Sequence, residues 1–183
     1  DFCLSRGLGD VYKRQIRECF EELGVLLAYN AQGGPVSPAE ISALRRDSHN
    51  DAGAFVRACS EQGLVLACDQ LFVLAHWITD RDLPRRFDVP FLVARMPEDQ
   101  QPVADEQEQF EPVWVRPCDA LARHDAGHML IIFPTYRTLQ WLCSHTAVDA
   151  VLRACGLGSA SGRDEAPPVS YTHLRAHETG RNL

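Results

Sequence analysis

Residues 16 to 27, IRECFEELGVLL, place apolar side chains at Ile16, Cys19, Phe20, Leu23 and Leu27. That i, i+3, i+4, i+7 spacing predicts an amphipathic helix. Its other side carries Glu18, Glu21 and Glu22, again at i, i+3 and i+4, where helical neighbours lie about 5 to 6 Å apart. Three carboxylates so close repel one another. A fold built on this helix must cover one stripe with apolar partners and give the other side to water or to a cation. A solvated acidic face is the simpler reading. A hard divalent cation such as Mg2+ is the other, because it takes oxygen ligands and relieves the repulsion. Gly24, two residues after Glu22, admits close approach of a neighbouring element.

Beyond the helix, turn signals and periodic runs alternate. AYNAQGGPVS breaks the pattern at Gly33, Gly34 and Pro35. Ser37-Pro38-Ala39-Glu40 reads as a helix N-cap, a proline at the first helical position and an acid in the first turn. That helix is expected to reach about residue 46, and another to cover about 51–62 before Gly63. FVLAHWIT and FDVPFLVARM read as strands, the second confined to an edge or bulge by Pro90. EDQQPVADEQEQ reads as an acidic, solvated loop and PVWV as a third, short strand. PCDALARH starts a helix at a proline, and PTYRTLQWLCSHTAVDAVLRAC reads as one long helix between Pro134 and Gly156. Helices and strands mix in an α/β pattern without internal repeats.

Charge and cysteine usage narrow the class. The net charge of −7 opposes general nucleic-acid binding, which needs basic surface. It leaves small anionic substrates open, since a bound divalent metal reverses the local field. No apolar run approaches the roughly 18 residues that span a bilayer, and no signal peptide opens the chain, so the expected setting is cytoplasmic, with no membrane partner. Seven cysteines without a CxxC pair fit neither a disulfide framework nor a zinc ribbon. They read as free buried thiols.

The two ends differ from the middle. Between residues 16 and 168 there are 13 arginines and no lysine, against 22 acids; the sole lysine is Lys13. DFCLSRGLGDVYKRQ and VSYTHLRAHETGRNL lack that composition and a sustained amphipathic period, and they resemble peptides translated from adapter DNA. The expected organisation is a non-native flank at 1–15, a globular domain at 16–156, a flexible small-residue and proline-rich tail at 157–168 and a second non-native flank at 169–183.

The order R-E-C-F-E-E-L-G-V resembles the second half of the Nudix box, G-x5-E-x7-R-E-U-x-E-E-x-G-U, with U a bulky apolar residue. Arg17, Glu18, Glu21, Glu22, Gly24 and Val25 match in register, and Cys19 fills the first apolar position loosely. The register places the first half at Cys3 and Gly9, which do not match, so the domain at 16–156 is expected to be a partial Nudix domain, truncated before the box is complete. AHWITDRDLPRRFDVPFLVARMP, EQFEPVWVRPCDAL and FPTYRTLQWL are similar to the acyl-coenzyme A diphosphatase-like branch of the family, with 36–70 as its helical insertion.

The resemblance implies a Nudix α/β/α sandwich with a mixed sheet, incomplete at the N-terminus. It implies divalent-metal-dependent hydrolysis of a nucleoside diphosphate-linked compound, with coenzyme A or acyl-coenzyme A as a candidate substrate. Glu18, Glu21 and Glu22 would hold Mg2+ or Mn2+, with Glu21 and Glu22 also counted as catalytic; Arg17 and Gly24 would support the helix. Glu108 would add a further ligand or a base, against a rival in Glu111 and the reading of a solvated loop. Arg85 and Arg86 would grip phosphate through the planar guanidinium fork, unless one of them pairs with Asp88 instead. Trp77 and Phe87 read as core aromatics, with adenine stacking as the alternative. The pairs His124/His128 and His173/His177 have metal-like spacing without a third ligand, and neither is taken as a site. Two other outcomes stay open: a Nudix enzyme acting on ADP-ribose or dinucleotides, and a catalytically incompetent Nudix fragment with a structural or ligand-binding role. A homodimer is also open.

Overall fold

Helix α1 (Arg6–Leu23) begins ahead of Ile16 and stops four residues short of Leu27. The stop is local. Gly24 adopts φ +68°, in the left-handed region that glycine enters at least cost, and its N–H bonds the Phe20 carbonyl at 2.9 Å. Val25 and Leu26 then continue buried outside the helix instead of forming a further turn. The structure, a computed structural model, describes residues 6–48, 51–79, 87–103 and 112–159. These residues cluster in two units, divided at 71/72, 93/94 and 114/115.

The first unit holds α1, strand β1 (Ala28–Tyr29), helices α2 (Pro38–Ser48) and α3 (Ala52–Glu61), strand β2 (Val65–Leu66), and a short 3-10 turn at Cys68–Gln70. Its core is Ile16, Phe20, Leu26, Leu44 and Phe55, all essentially sealed from solvent. The Phe20 and Phe55 rings meet at 5.7 Å, and each buried aromatic of this kind contributes roughly 1.5–3 kcal/mol. The expected cap of α2 forms. Ser37 N–H donates to Glu40 Oε2 at 2.7 Å, while Glu40 N–H returns to Ser37 Oγ at 3.3 Å, a capping box for α2. Asp51 caps α3 through Ala54 N–H, and Gly63 at φ +66° follows its end. β1 and β2 pair antiparallel, Ala28 opposite Leu66.

One element of this unit departs from the sequence expectation. Gln100 falls in the stretch read as a solvated loop, yet it is buried and pairs both polar groups of Leu26. Its Oε1 accepts Leu26 N–H at 2.8 Å, and its Nε2 donates to Leu26 O at 2.9 Å. A side-chain amide presents an N–H and a carbonyl side by side, as a peptide group does, so Gln100 does here what a neighbouring strand would do.

The second unit pairs β3 (Phe72–Ile78) with β4 (Asp88–Val93) antiparallel, with a register shift between Val73 and Ala75. Pro90 lies in β4 opposite His76, tolerated because β4 pairs on one side only among the described residues. Helices α4 (Pro117–Asp125) and α5 (Phe133–Cys143) pack together, and α5 and α6 (Val148–Ser159) both contact β3. All strand pairs described are antiparallel.

Three further expectations are corrected. PVWV forms no strand among its described residues, and Trp114 is 70% exposed. The long C-terminal helix is two helices, broken at Ser144, whose Oγ bonds the Trp141 carbonyl at 2.7 Å and so competes with the helical ladder. Cys118 and Cys143, read as free thiols, are joined as a disulfide between α4 and α5, their Cα atoms 5.4 Å apart. Among the described residues, no helix is long and apolar enough to cross a membrane.

Candidate active site

α1 carries Arg17, Glu18, Glu21 and Glu22 on its last two turns. Apolar burial of Ile16 and Phe20 fixes the roll of the helix, and that roll sets how far each carboxylate reaches water. Glu22 is exposed and Glu18 partly so, whereas the Glu21 side chain is only 16% accessible. Arg17 lies against Glu21 Oε2 through Nη1 and stands 3.8 Å from Glu18 Oε1 through Nη2. Gln15 Nε2 donates to Glu18 Oε2 at 3.1 Å. The second oxygen of Glu21, Oε1, is buried and has no hydrogen-bond partner among the described residues. A solvated acidic face therefore does not describe Glu21. Cys19, between the carboxylates, has its thiol pushed above the ordinary range by burial and then by the Glu22 charge. It stays neutral and packs as a small apolar residue.

Beyond Gly24 the chain enters a cleft of about 360 Å³ lined in part by Leu27, Tyr29, Pro35, Gln70, Arg95 and Met96. That is within the range of small-molecule pockets, on the order of 300–1,000 Å³. Tyr29 Oη donates to Asp69 Oδ2 at 2.7 Å, and Gln70 Nε2 donates to Tyr29 Oη at 3.0 Å.

The other residues singled out in the sequence are distributed as follows. Arg85, Arg86, Glu108 and Glu111, with His173 and His177, lie outside the described residues. Trp77 is held by packing: its ring meets Phe133 edge-on at 6.1 Å and its Nε1 donates to Thr138 Oγ1 at 3.2 Å. Phe87 is exposed, so the core reading does not hold for it. Asp88 contacts His76 across the β3–β4 pair. His124 Nδ1 lies 3.0 Å from the Met129 carbonyl and 3.2 Å from the Ile131 N–H, which makes it a loop fastener. Gln100 and Arg45, which approaches Gly24, were not found from sequence. Gln100 sat in a polar run, and nothing in the spacing ties residue 45 to residue 24.

The family model for the NUDT19 Nudix domain matches residues 10–142. The chain belongs to the Nudix hydrolase family. The match covers the Nudix glutamates of α1 and the segments that resemble the acyl-coenzyme A diphosphatase-like branch. The chain is 29% identical over 123 residues to nudix hydrolase 7 of Caenorhabditis elegans, a match covering 66% of this chain and 40% of the worm protein. A crystal structure of a NUDIX hydrolase from Alicyclobacillus acidocaldarius matches with a TM-score of 0.62 at 23% identity, covering 75% of this chain and 63% of that one. That likeness shows the Nudix fold. The chain thus spans less than two thirds of the length of either relative.

Nudix hydrolases generally use divalent metals, and Glu21 offers the local chemistry for one. A buried carboxylate oxygen without a donor is costly, and a cation satisfies it. The fit rests on that oxygen and on the all-oxygen donor set. Among the described residues, no three His, Cys, Asp or Glu side chains are already grouped to hold an ion.

Proposed function

We propose that the protein is a divalent-metal-dependent hydrolase of nucleoside diphosphate-linked compounds, with the diphosphate of coenzyme A or an acyl-coenzyme A as its substrate. The observation that carries this reading is Glu21 Oε1, buried and without a donor among the described residues, on a helix whose order matches the second half of the Nudix box. Glu18, Glu21 and Glu22 would hold Mg2+ or Mn2+. Such a cation supplies Lewis acidity, screening diphosphate charge and easing deprotonation of the attacking water. The chain's own part is to orient and to balance charge. Arg17 neutralises one oxygen of Glu21 and leaves the other for the cation. Cys19 stays neutral beside Glu22 and adds no competing charge. From the sequence, Glu108 serves as a further ligand or base and Arg85 or Arg86 as a phosphate clamp.

The substrate is small and anionic, with neither nucleic acid nor membrane as a partner; the net charge of −7 supports the first exclusion. The four described free thiols, Cys19, Cys59, Cys68 and Cys155, fit a reducing cytoplasm, and the Cys118–Cys143 pair is the feature that does not. One observation favours a second reading, a ligand-binding Nudix domain without turnover: the carboxylates described are not grouped as a three-ligand set. Release of phosphorylated product from a panel of acyl-coenzyme A, ADP-ribose and dinucleotides at fixed Mg2+ separates these. Preferential cleavage of the coenzyme A compounds is expected. Preference for ADP-ribose or dinucleotides would move the substrate assignment, and no cleavage of any of them would favour the second reading.

A further inference from the structure

The last turn of α1 concentrates negative charge, which Arg17, one turn back, offsets at Glu21. It carries Glu21 and Glu22 with no basic residue in that turn, at the helix end where the backbone dipole already concentrates negative potential. A further cation comes from α2, in the segment read as the insertion. An ideal Cβ built on Gly24 would stand 2.5 Å from Arg45 Nη2 and 3.3 Å from Arg45 Cζ, so the guanidinium occupies the space that glycine leaves bare. The same group lies over the Phe20 ring, 5.9 Å from its centroid. Phe20 is in turn pinned against Phe55 of α3, and its carbonyl receives the Gly24 N–H. The Leu23 carbonyl receives Val103 N–H at 2.8 Å.

We infer that Arg45 is a positioning residue for the Nudix glutamates: its guanidinium, seated on Gly24 and Phe20, adds a second cation, beyond Arg17, at the C-terminal turn of α1 and holds Glu21 and Glu22 in place. This rests on the reading of α1 as the metal helix. It also gives the glycine of the box a second use in this chain, since a side chain at 24 would unseat the guanidinium as well as strain the backbone.

The test uses the full 183-residue chain and its Arg45→Ala, Arg45→Lys and Arg46→Ala variants. Two quantities are read: hydrogen exchange of the Gly24 and Val103 amides by NMR, and Mn2+ affinity by calorimetry. A helix-end cation and a cation over an aromatic ring together imply exchange about three- to fivefold faster at both amides in Arg45→Ala. Mn2+ binding should weaken by a similar factor, Arg45→Lys should recover part of each change, and Arg46→Ala should alter neither. Removing a nearby cation by charge alone would tighten Mn2+ binding, so affinity separates holding from screening. Tighter or unchanged Mn2+ binding in Arg45→Ala overturns the positioning role, whatever the exchange rates. If the parent chain takes up no Mn2+ while Arg45→Ala still speeds exchange, the metal reading fails and only the structural contact survives.

Discussion

Replacing Gln100 with Leu removes a side chain that stands in for a strand. Leu26 is 0% exposed and Gln100 8% exposed, and the two bonds between them measure 2.8 and 2.9 Å. Leucine has similar bulk, so cavity formation contributes little; the cost lies in stranding the Leu26 N–H and carbonyl without partners. Each such buried group costs about 1–3 kcal/mol, and partial access of water at the rim of residue 100 brings the expected total to about 3 kcal/mol. With a urea slope of about 2 kcal/mol/M, the unfolding midpoint should fall by about 1.5 M with the slope unchanged. Gln100→Glu refines the test. The protonated introduced carboxyl keeps one donor and one acceptor, whereas the ionised form faces the Leu26 carbonyl with acceptors alone. Its folded-state pKa is therefore raised, and its stabilising contribution is full below the ordinary carboxylate range and lost as pH rises through the raised value. A leucine variant within about 0.5 kcal/mol of the parent, below the cost of one stranded group, would refute the reasoning. So would a glutamate variant that grows more stable with rising pH.

Glu21→Gln and Glu22→Gln should each abolish phosphorylated-product release while leaving the far-UV circular dichroism unchanged; turnover retained in both would remove these carboxylates from the site. Reduction of Cys118–Cys143, which closes a loop across a sequence separation of 25, should cost about 3 kcal/mol in the chain-entropy account, read as a lower urea midpoint with a reductant present than without. Burial pushes the Cys59 thiol up to about 11. Native Cys59 should accordingly resist alkylation at pH 8, whereas the urea-unfolded chain reacts. The raised folded-state value means its stabilising contribution is present below the ordinary thiol range and declines as pH rises beyond it.

Elements whose stop signals lie next to them in the chain were legible in the sequence. The capping box at Ser37 and Glu40, the Gly63 stop and the proline starts of α4 and α5 are written within a few residues of where they act. The strands β3 and β4 were legible for the same reason, their β-branched and aromatic runs being bounded by turns. Features made by distant residues were not. Gln100 is separated from Leu26 by 74 positions, and a glutamine among acids carries no sign that it will be buried. The break at Ser144 depends on a hydroxyl turning back to the helix carbonyl, which apolar periodicity does not register. At the site, the order of α1 singled out the carboxylates that match the second half of the Nudix box. It did not show that Glu21 would be the enclosed one, because burial depends on the roll of the helix against Phe55. Nor did it show Arg45, which reaches Gly24 from another helix.

Mn2+ titration of the full chain followed by paramagnetic broadening of backbone amide resonances tests the metal role of α1 most directly. Substoichiometric Mn2+ should broaden the amides of residues 18–22 first, and Glu21→Gln should abolish that broadening without disturbing the rest of the spectrum. Broadening centred elsewhere, or unchanged in Glu21→Gln, would contradict a metal site on this helix.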